Sequence, residues 1–250
     1  MIKSEEEHQQ KNIRNKVTTY PVPFSIAQNN EDIIVSTSLP STLSKDQIIN
    51  KALNLHSKGN IEEAARKYQY FLDQGFADPA VLTNYGAICQ QSGNTSKAIE
   101  LYKRSIKIFP NRSEPYANLG NIYKHMGNLK EAEICYQKDL EIQPNSSLAN
   151  YNLGALYIDL KYLKEAEFFI RKAIKIKPND PLFYCDLGRV LIEKGDVKGA
   201  EKLIRKSIQI KPDFFQAYLN LGVIYIEIGN FKKAELFTRR AIEINNDCFE

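Results

Sequence analysis

The chain has no tryptophan, two methionines and three histidines among 250 residues. It lacks any apolar run approaching the roughly 18 residues a membrane-crossing helix requires. Its first residues, Met1-Ile2-Lys3-Ser4-Glu5-Glu6-Glu7, are acidic and polar, without the basic start and apolar stretch of a secretory leader. The four cysteines, Cys89, Cys135, Cys185 and Cys248, stand far apart. That spacing offers no metal-ligand set and no redox pair, so a reducing cytoplasm is the expected setting. His8, His56 and His125 are isolated from one another in sequence. A glycine-rich phosphate loop, a His-Glu-x-x-His pair and a Gly-x-Ser-x-Gly elbow are all absent. These absences nominate no catalytic residue, no metal ligand and no cofactor, and a non-enzyme is expected. A formal net charge of +4 is mild and neither demands nor forbids an anionic partner.

What is present is a repeat. Alanine recurs every 34 residues at Ala64, Ala98, Ala132, Ala166, Ala200 and Ala234. Twelve residues before five of them stand Gly86, Gly120, Gly154, Gly188 and Gly222, and Ala52 fills the first such slot. Pro110, Pro144, Pro178 and Pro212 follow twelve residues after four of them. Self-similarity at this period means stacked units rather than one globular core. Such an array offers a long binding surface and no enclosed pocket.

One unit, Glu114 to Asn145, shows what the spacing encodes. Leu119, Ile122, Tyr123 and Met126 recur at three- and four-residue steps, which predicts a helix. Gly127-Asn128 ends it, because glycine accepts the left-handed backbone a helix terminus favours. Leu129, Ala132, Tyr136 and Leu140 predict a second helix, and Pro144 stops it for want of an amide hydrogen. Each unit is therefore a helical hairpin. The glycine and alanine slots fall where its two helices approach most closely, so a large side chain there would force them apart.

These residues resemble the tetratricopeptide repeat (TPR) family, with its Gly or Ala at position 8, Ala at 20, a small residue at 27 and Pro at 32. The stretch Tyr116-Ala117-Asn118-Leu119-Gly120-Asn121-Ile122-Tyr123 is similar to the arrays of the O-linked N-acetylglucosamine transferase family. The resemblance implies an all-α, right-handed superhelical solenoid of six antiparallel helix-turn-helix repeats. They are placed at 45–78, 79–112, 113–146, 147–180, 181–214 and 215–248, behind a mostly irregular arm over 1–44 with extended stretches at 20–37. Departures are Phe71 and Phe76 in the first unit, at the small and proline slots, and Lys161-Tyr162 in place of the fourth turn glycine.

By the same resemblance, first helices line the concave face. Position 6 there reads Asn50, Asn84, Asn118, Asn152, Asp186 and Asn220. An amide both donates and accepts, so such a ladder suits the backbone of an extended peptide; helix spacing is the competing role. Position 12 changes from His56, Gln90 and Lys124 to Ile158, Ile192 and Ile226, with Tyr151, Ala155, Leu219 and Val223 nearby. An apolar C-terminal half of the groove is expected, with packing between repeats as the alternative. The expected function is a scaffold or adaptor holding an extended or helical segment of another protein. A substrate-recognition arm for a separately encoded glycosyl-, methyl- or sulfotransferase is the second expectation. Position 2 carries no lysine or arginine, which argues against a clamp for acidic C-terminal tails. Basic pairs such as Arg171-Lys172 and Arg205-Lys206 follow Glu167 and Glu201 at helical spacing and read as a solvated face. No nucleic acid and no membrane partner is expected, while self-association through the last repeat, which has no capping helix after it, is.

Overall fold

The computed structural model describes residues 44–247, so the arm over residues 1–43, its extended stretches and Cys248 lie outside the described residues. Among those described, the protein is all-α, with twelve helices and no strand. They form two compact units divided between Met126 and Gly127. The first holds α1 (Lys45–Ser57), α2 (Ile61–Asp73), α3 (Pro79–Gln91), α4 (Thr95–Ile108) and α5 (Glu114–His125). The second holds α6 (Leu129–Ile142), α7 (Ser147–Asp159), α8 (Leu163–Ile176) and α9 (Pro181–Glu193). It continues with α10 (Val197–Ile210), α11 (Phe215–Glu227) and α12 (Phe231–Asp247).

Local chemistry sets where these helices begin and end. Ser44 opens α1 with a reciprocal cap: its hydroxyl accepts from the Gln47 amide, and the Gln47 side chain accepts from the Ser44 amide. Asp78 caps α3 by accepting from the amides of Ala80 and Val81 at 2.9 and 3.2 Å. The helices α4, α6, α8 and α10 each stop two residues short of a proline, which cannot continue the ladder. Turns inside the hairpins share one geometry. The Asn94 amide reaches back to the Cys89 carbonyl at 2.8 Å, and Gly93 holds φ at +81°. Lys161 takes the same left-handed turn at φ +62° while the Tyr162 amide donates to the Tyr157 carbonyl at 2.9 Å. The missing glycine thus leaves the turn intact, and a β-carbon is forced into a conformation that disfavours it.

Packing follows the repeat within each unit. In the first, α1 pairs with α2 and α3 with α4, while α2 rests on α3 and α4 on α5. In the second, α7 pairs with α8, α9 with α10 and α11 with α12. There α6 rests on α7, α8 on α9 and α10 on α11. The glycine slots are tight. A β-carbon on Gly188 would lie 2.5 Å from Ile204 Cγ1 and 3.4 Å from the Ala200 carbonyl. On Gly154 it would lie 2.7 Å from Ile170 Cγ1 and 3.3 Å from the Ala166 carbonyl. The small pair therefore lets a bulky position-24 side chain fill the space between the helices, and Ile170 and Ile204 are fully buried. In the first repeat Phe71 and Phe76 pack on each other with ring centroids 5.3 Å apart, replacing the usual small residue and proline.

Candidate interaction surface

The position-6 residues sit at different depths. In the first unit Asn50 is exposed, whereas Asn84 and Asn118 are fully buried. Neither Asn84 Nδ2 nor Oδ1 makes a hydrogen bond among the described residues, and burial pushes the pKa of the Tyr68 phenol up. In the second unit Asn152 is buried, and its Nδ2 makes no hydrogen bond among the described residues. Asp186 and Asn220 are half-buried and tied to the preceding repeat. Tyr151 donates its hydroxyl to Asp186 Oδ2 at 2.6 Å and stacks on Phe183 with centroids 4.8 Å apart. Asn220 Nδ2 donates to Cys185 Sγ at 3.2 Å. Burial pushes the Cys185 thiol up to about 12, so it carries no thiolate chemistry near neutrality.

Position 12 is linked to position 24 of the same hairpin. His56 Nδ1 lies 3.2 Å from the Tyr68 hydroxyl, and the Tyr102 hydroxyl donates to Gln90 Oε1 at 3.3 Å. In these two hairpins a polar position 12 meets a buried tyrosine at position 24; where position 24 is Ile170 or Ile204, position 12 is isoleucine. Ile192 packs against the core cluster that contains Ile204. In these four repeats the character of position 12 follows position 24, whereas the last repeat sets the exposed Ile226 with Thr238.

Among the first helices of the repeats, apolar exposure concentrates on α11. Leu219, Val223 and Ile226 are 39%, 44% and 56% exposed, at i, i+4 and i+7 along one face of that helix. The equivalent residues of α7 are less open: Tyr151 is half-buried and Ala155 and Ile158 are buried. On α9, Cys185 is buried and Arg189 and Ile192 are half-buried. Second helices carry the ion pairs that their spacing predicts, Arg171–Glu167 at 2.7 Å, Arg205–Glu201 at 2.8 Å and Arg239–Glu235 at 2.7 Å. Among the described residues no three His, Cys, Asp or Glu side chains group closely enough to hold a metal ion.

Sequence profiles described as tetratricopeptide repeat match residues 49–113, 113–146, 148–180 and 191–250. The chain belongs to the tetratricopeptide repeat family. It is 32% identical over 65 residues to the uncharacterized protein YgeG of Escherichia coli (strain K12). That match spans 26% of this chain and 40% of YgeG. Among solved structures it resembles MamA, with a TM-score of 0.58 and 26% identity, over 69% of this chain and 97% of that one. It also resembles YrrB, described as a TPR protein with an unusual peptide-binding site, with a TM-score of 0.59 and 22% identity. That likeness covers 73% of this chain and 94% of YrrB.

The TPR units of the second body share a contact that column-by-column reading of the sequence misses. Tyr157 donates its hydroxyl to Glu133 at 2.8 Å, and Tyr225 donates to Glu201 at 2.8 Å. In each case position 11 of one repeat fastens to position 21 of the repeat before it. Where position 11 is Leu191, Lys194 takes over and pairs with Glu167. Burial, reinforced by the Glu133 carboxylate, pushes the Tyr157 phenol up to about 12. The legible signal is the 24-residue separation shared by both tyrosine–glutamate pairs.

Proposed function

We propose that the chain is a non-catalytic scaffold that holds a peptide segment of another protein against the first helices of its repeats. The observation that carries this reading is the exposed row Leu219, Val223 and Ile226 on α11. Three apolar side chains at that spacing match the i, i+4, i+7 anchors of an amphipathic helix laid along the same face. Asn220 and Asp186 flank the row with half-buried polar groups that can fix the register of a bound backbone. Half-buried Tyr151 and Ile192 lie on α7 and α9 beside this row, whereas Asn152, Ile158, Asn84 and Asn118 occupy the equivalent slots but are buried. The unusual peptide-binding site of YrrB is consistent with this use of the fold. Cys89, Cys135 and Cys185 are buried and unbridged, which suits our placement of the chain in the reducing cytoplasm.

Panning a displayed library of amphipathic helices on the full chain provides the probe. Replacing Val223→Lys together with Ile226→Lys is expected to weaken the selected peptides about a hundredfold or more, as loss of two anchors would. Both sites are exposed, so the circular dichroism of the variant should match that of the unaltered chain. Peptides that bind the variant as tightly as the unaltered chain would place the docking face elsewhere.

A further inference from the structure

The second unit carries a pattern on its second helices that peptide capture by first helices does not use. Positions 18, 22 and 26 lie one helical turn apart on a single line. On α6 that line reads Lys130, Ile134, Lys138, and on α8 it reads Lys164, Phe168, Lys172. On α10 it reads Lys198, Lys202, Lys206, and on α12 Lys232, Leu236, Arg240. Every one of these side chains is exposed. Ile134, Phe168 and Leu236 are 60%, 53% and 62% open to solvent. The first unit lacks the pattern: α2 reads Glu62, Arg66, Tyr70 and α4 reads Ser96, Glu100, Arg104.

The neighbouring arginine row is neutralised, since Arg171, Arg205 and Arg239 each pair with a glutamate one turn back. The lysine rows differ. Lys138 and Arg240 pair with Glu141 and Glu243, and Lys172 lies 4.5 Å over the Phe168 ring. Lys130, Lys164, Lys198, Lys202, Lys206 and Lys232 make no ion pair among the described residues. Two rows of cations thus border a central row that is apolar on three of its four rungs.

Against the sequence expectation of a solvated basic face with no membrane partner, we propose that this face of α6, α8, α10 and α12 docks peripherally on a bilayer containing anionic phospholipid. The attachment proposed is to the surface, and no helix among the described residues is long and apolar enough to cross a membrane. Lysines meet the phosphate layer, and Ile134, Phe168 and Leu236 reach past it to the acyl boundary. Charge complementarity selects an anionic surface, and the apolar row selects among anionic surfaces. A phosphodiester backbone offers Ile134 and Leu236 nothing apolar to meet. Lysine, a point charge without arginine's planar fork, suits a diffuse anionic layer.

Co-sedimentation of the full chain with vesicles tests this. Binding is expected on phosphatidylcholine mixed with phosphatidylglycerol and absent on phosphatidylcholine alone. Lys164→Glu with Lys202→Glu should weaken binding about tenfold or more. Phe168→Ser with Leu236→Ser should also weaken it about tenfold with the salt dependence retained. Peptide capture through Val223 and Ile226 should be untouched in both, which separates this surface from the first-helix face. Three outcomes overturn the proposal: no binding to the anionic vesicles, unaltered binding by the Phe168→Ser/Leu236→Ser variant, or charge-dependent binding confined to polyglutamate or duplex RNA.

Discussion

Ile204→Ala should lower the unfolding free energy by about 2–5 kcal/mol, the usual range for emptying a closed site of this size. Ile204 is 0% exposed and belongs to the cluster that joins α9, α10 and α11. Gly188→Ala alone should cost about 1–3 kcal/mol, because the new methyl would sit 2.5 Å from Ile204 Cγ1 and 3.0 Å from Cδ1. Combining the two removes the clash, since alanine at 204 has neither atom, and the next neighbour, the Ala200 carbonyl, lies at 3.4 Å. The double variant should therefore be more stable than the sum of its parts by about 1 kcal/mol or more. Denaturant unfolding of the four proteins measures this. Strict additivity would mean that the glycine slot does not exist to admit the position-24 side chain.

Tyr225→Ala is expected to cost about 3–5 kcal/mol, by analogy with other large aromatic truncations. The ring is 4% exposed and stacks on Phe237 at 5.3 Å with an interplanar angle of 10°. Tyr225→Phe keeps that stacking and removes only the hydroxyl, and should cost about 1 kcal/mol. The difference between the two variants separates ring packing from the fastening to Glu201. The hydrogen bond from Tyr225, followed by that from Arg205, holds the Glu201 carboxyl below its ordinary value. A depressed carboxylate contributes stability above its unfolded pKa and loses it as pH falls through the folded one. The unaltered protein should therefore weaken on acidification below the usual carboxylate range, and Tyr225→Phe should weaken less steeply. Parallel pH profiles for the two would remove the hydroxyl from the account.

The helices were legible because their limits depend on neighbouring residues alone. Ser44 with Gln47, the turn glycines and the prolines at 110, 144, 178 and 212 act within a few residues, so a local reading finds them. Lys161 shows the margin of that logic. The carbonyl of Tyr157 imposes the turn from five residues back, and a lysine complies although glycine fits better. Features that depend on depth or on distant pairing were harder to see. The position-6 asparagines look alike in sequence, yet Asn50 is exposed and Asn84 fully buried. The changes at position 12 gain a reason only when His56 is set beside Tyr68 and Gln90 beside Tyr102. The division of the chain between Met126 and Gly127 has no compositional mark, since Gly127 resembles every other turn glycine.

Cys89 on α3, Cys135 on α6 and Cys185 on α9 are all shielded from solvent, one in the first unit and two in the second. Once Cys248 is replaced, a thiol-selective alkylating reagent can reach one of these three thiols only when the helix around it opens. The rate at which each thiol is modified then becomes a clock for the breathing of its own neighbourhood, read by mass spectrometry without adding a foreign label. The molecule carries its own set of stopwatches.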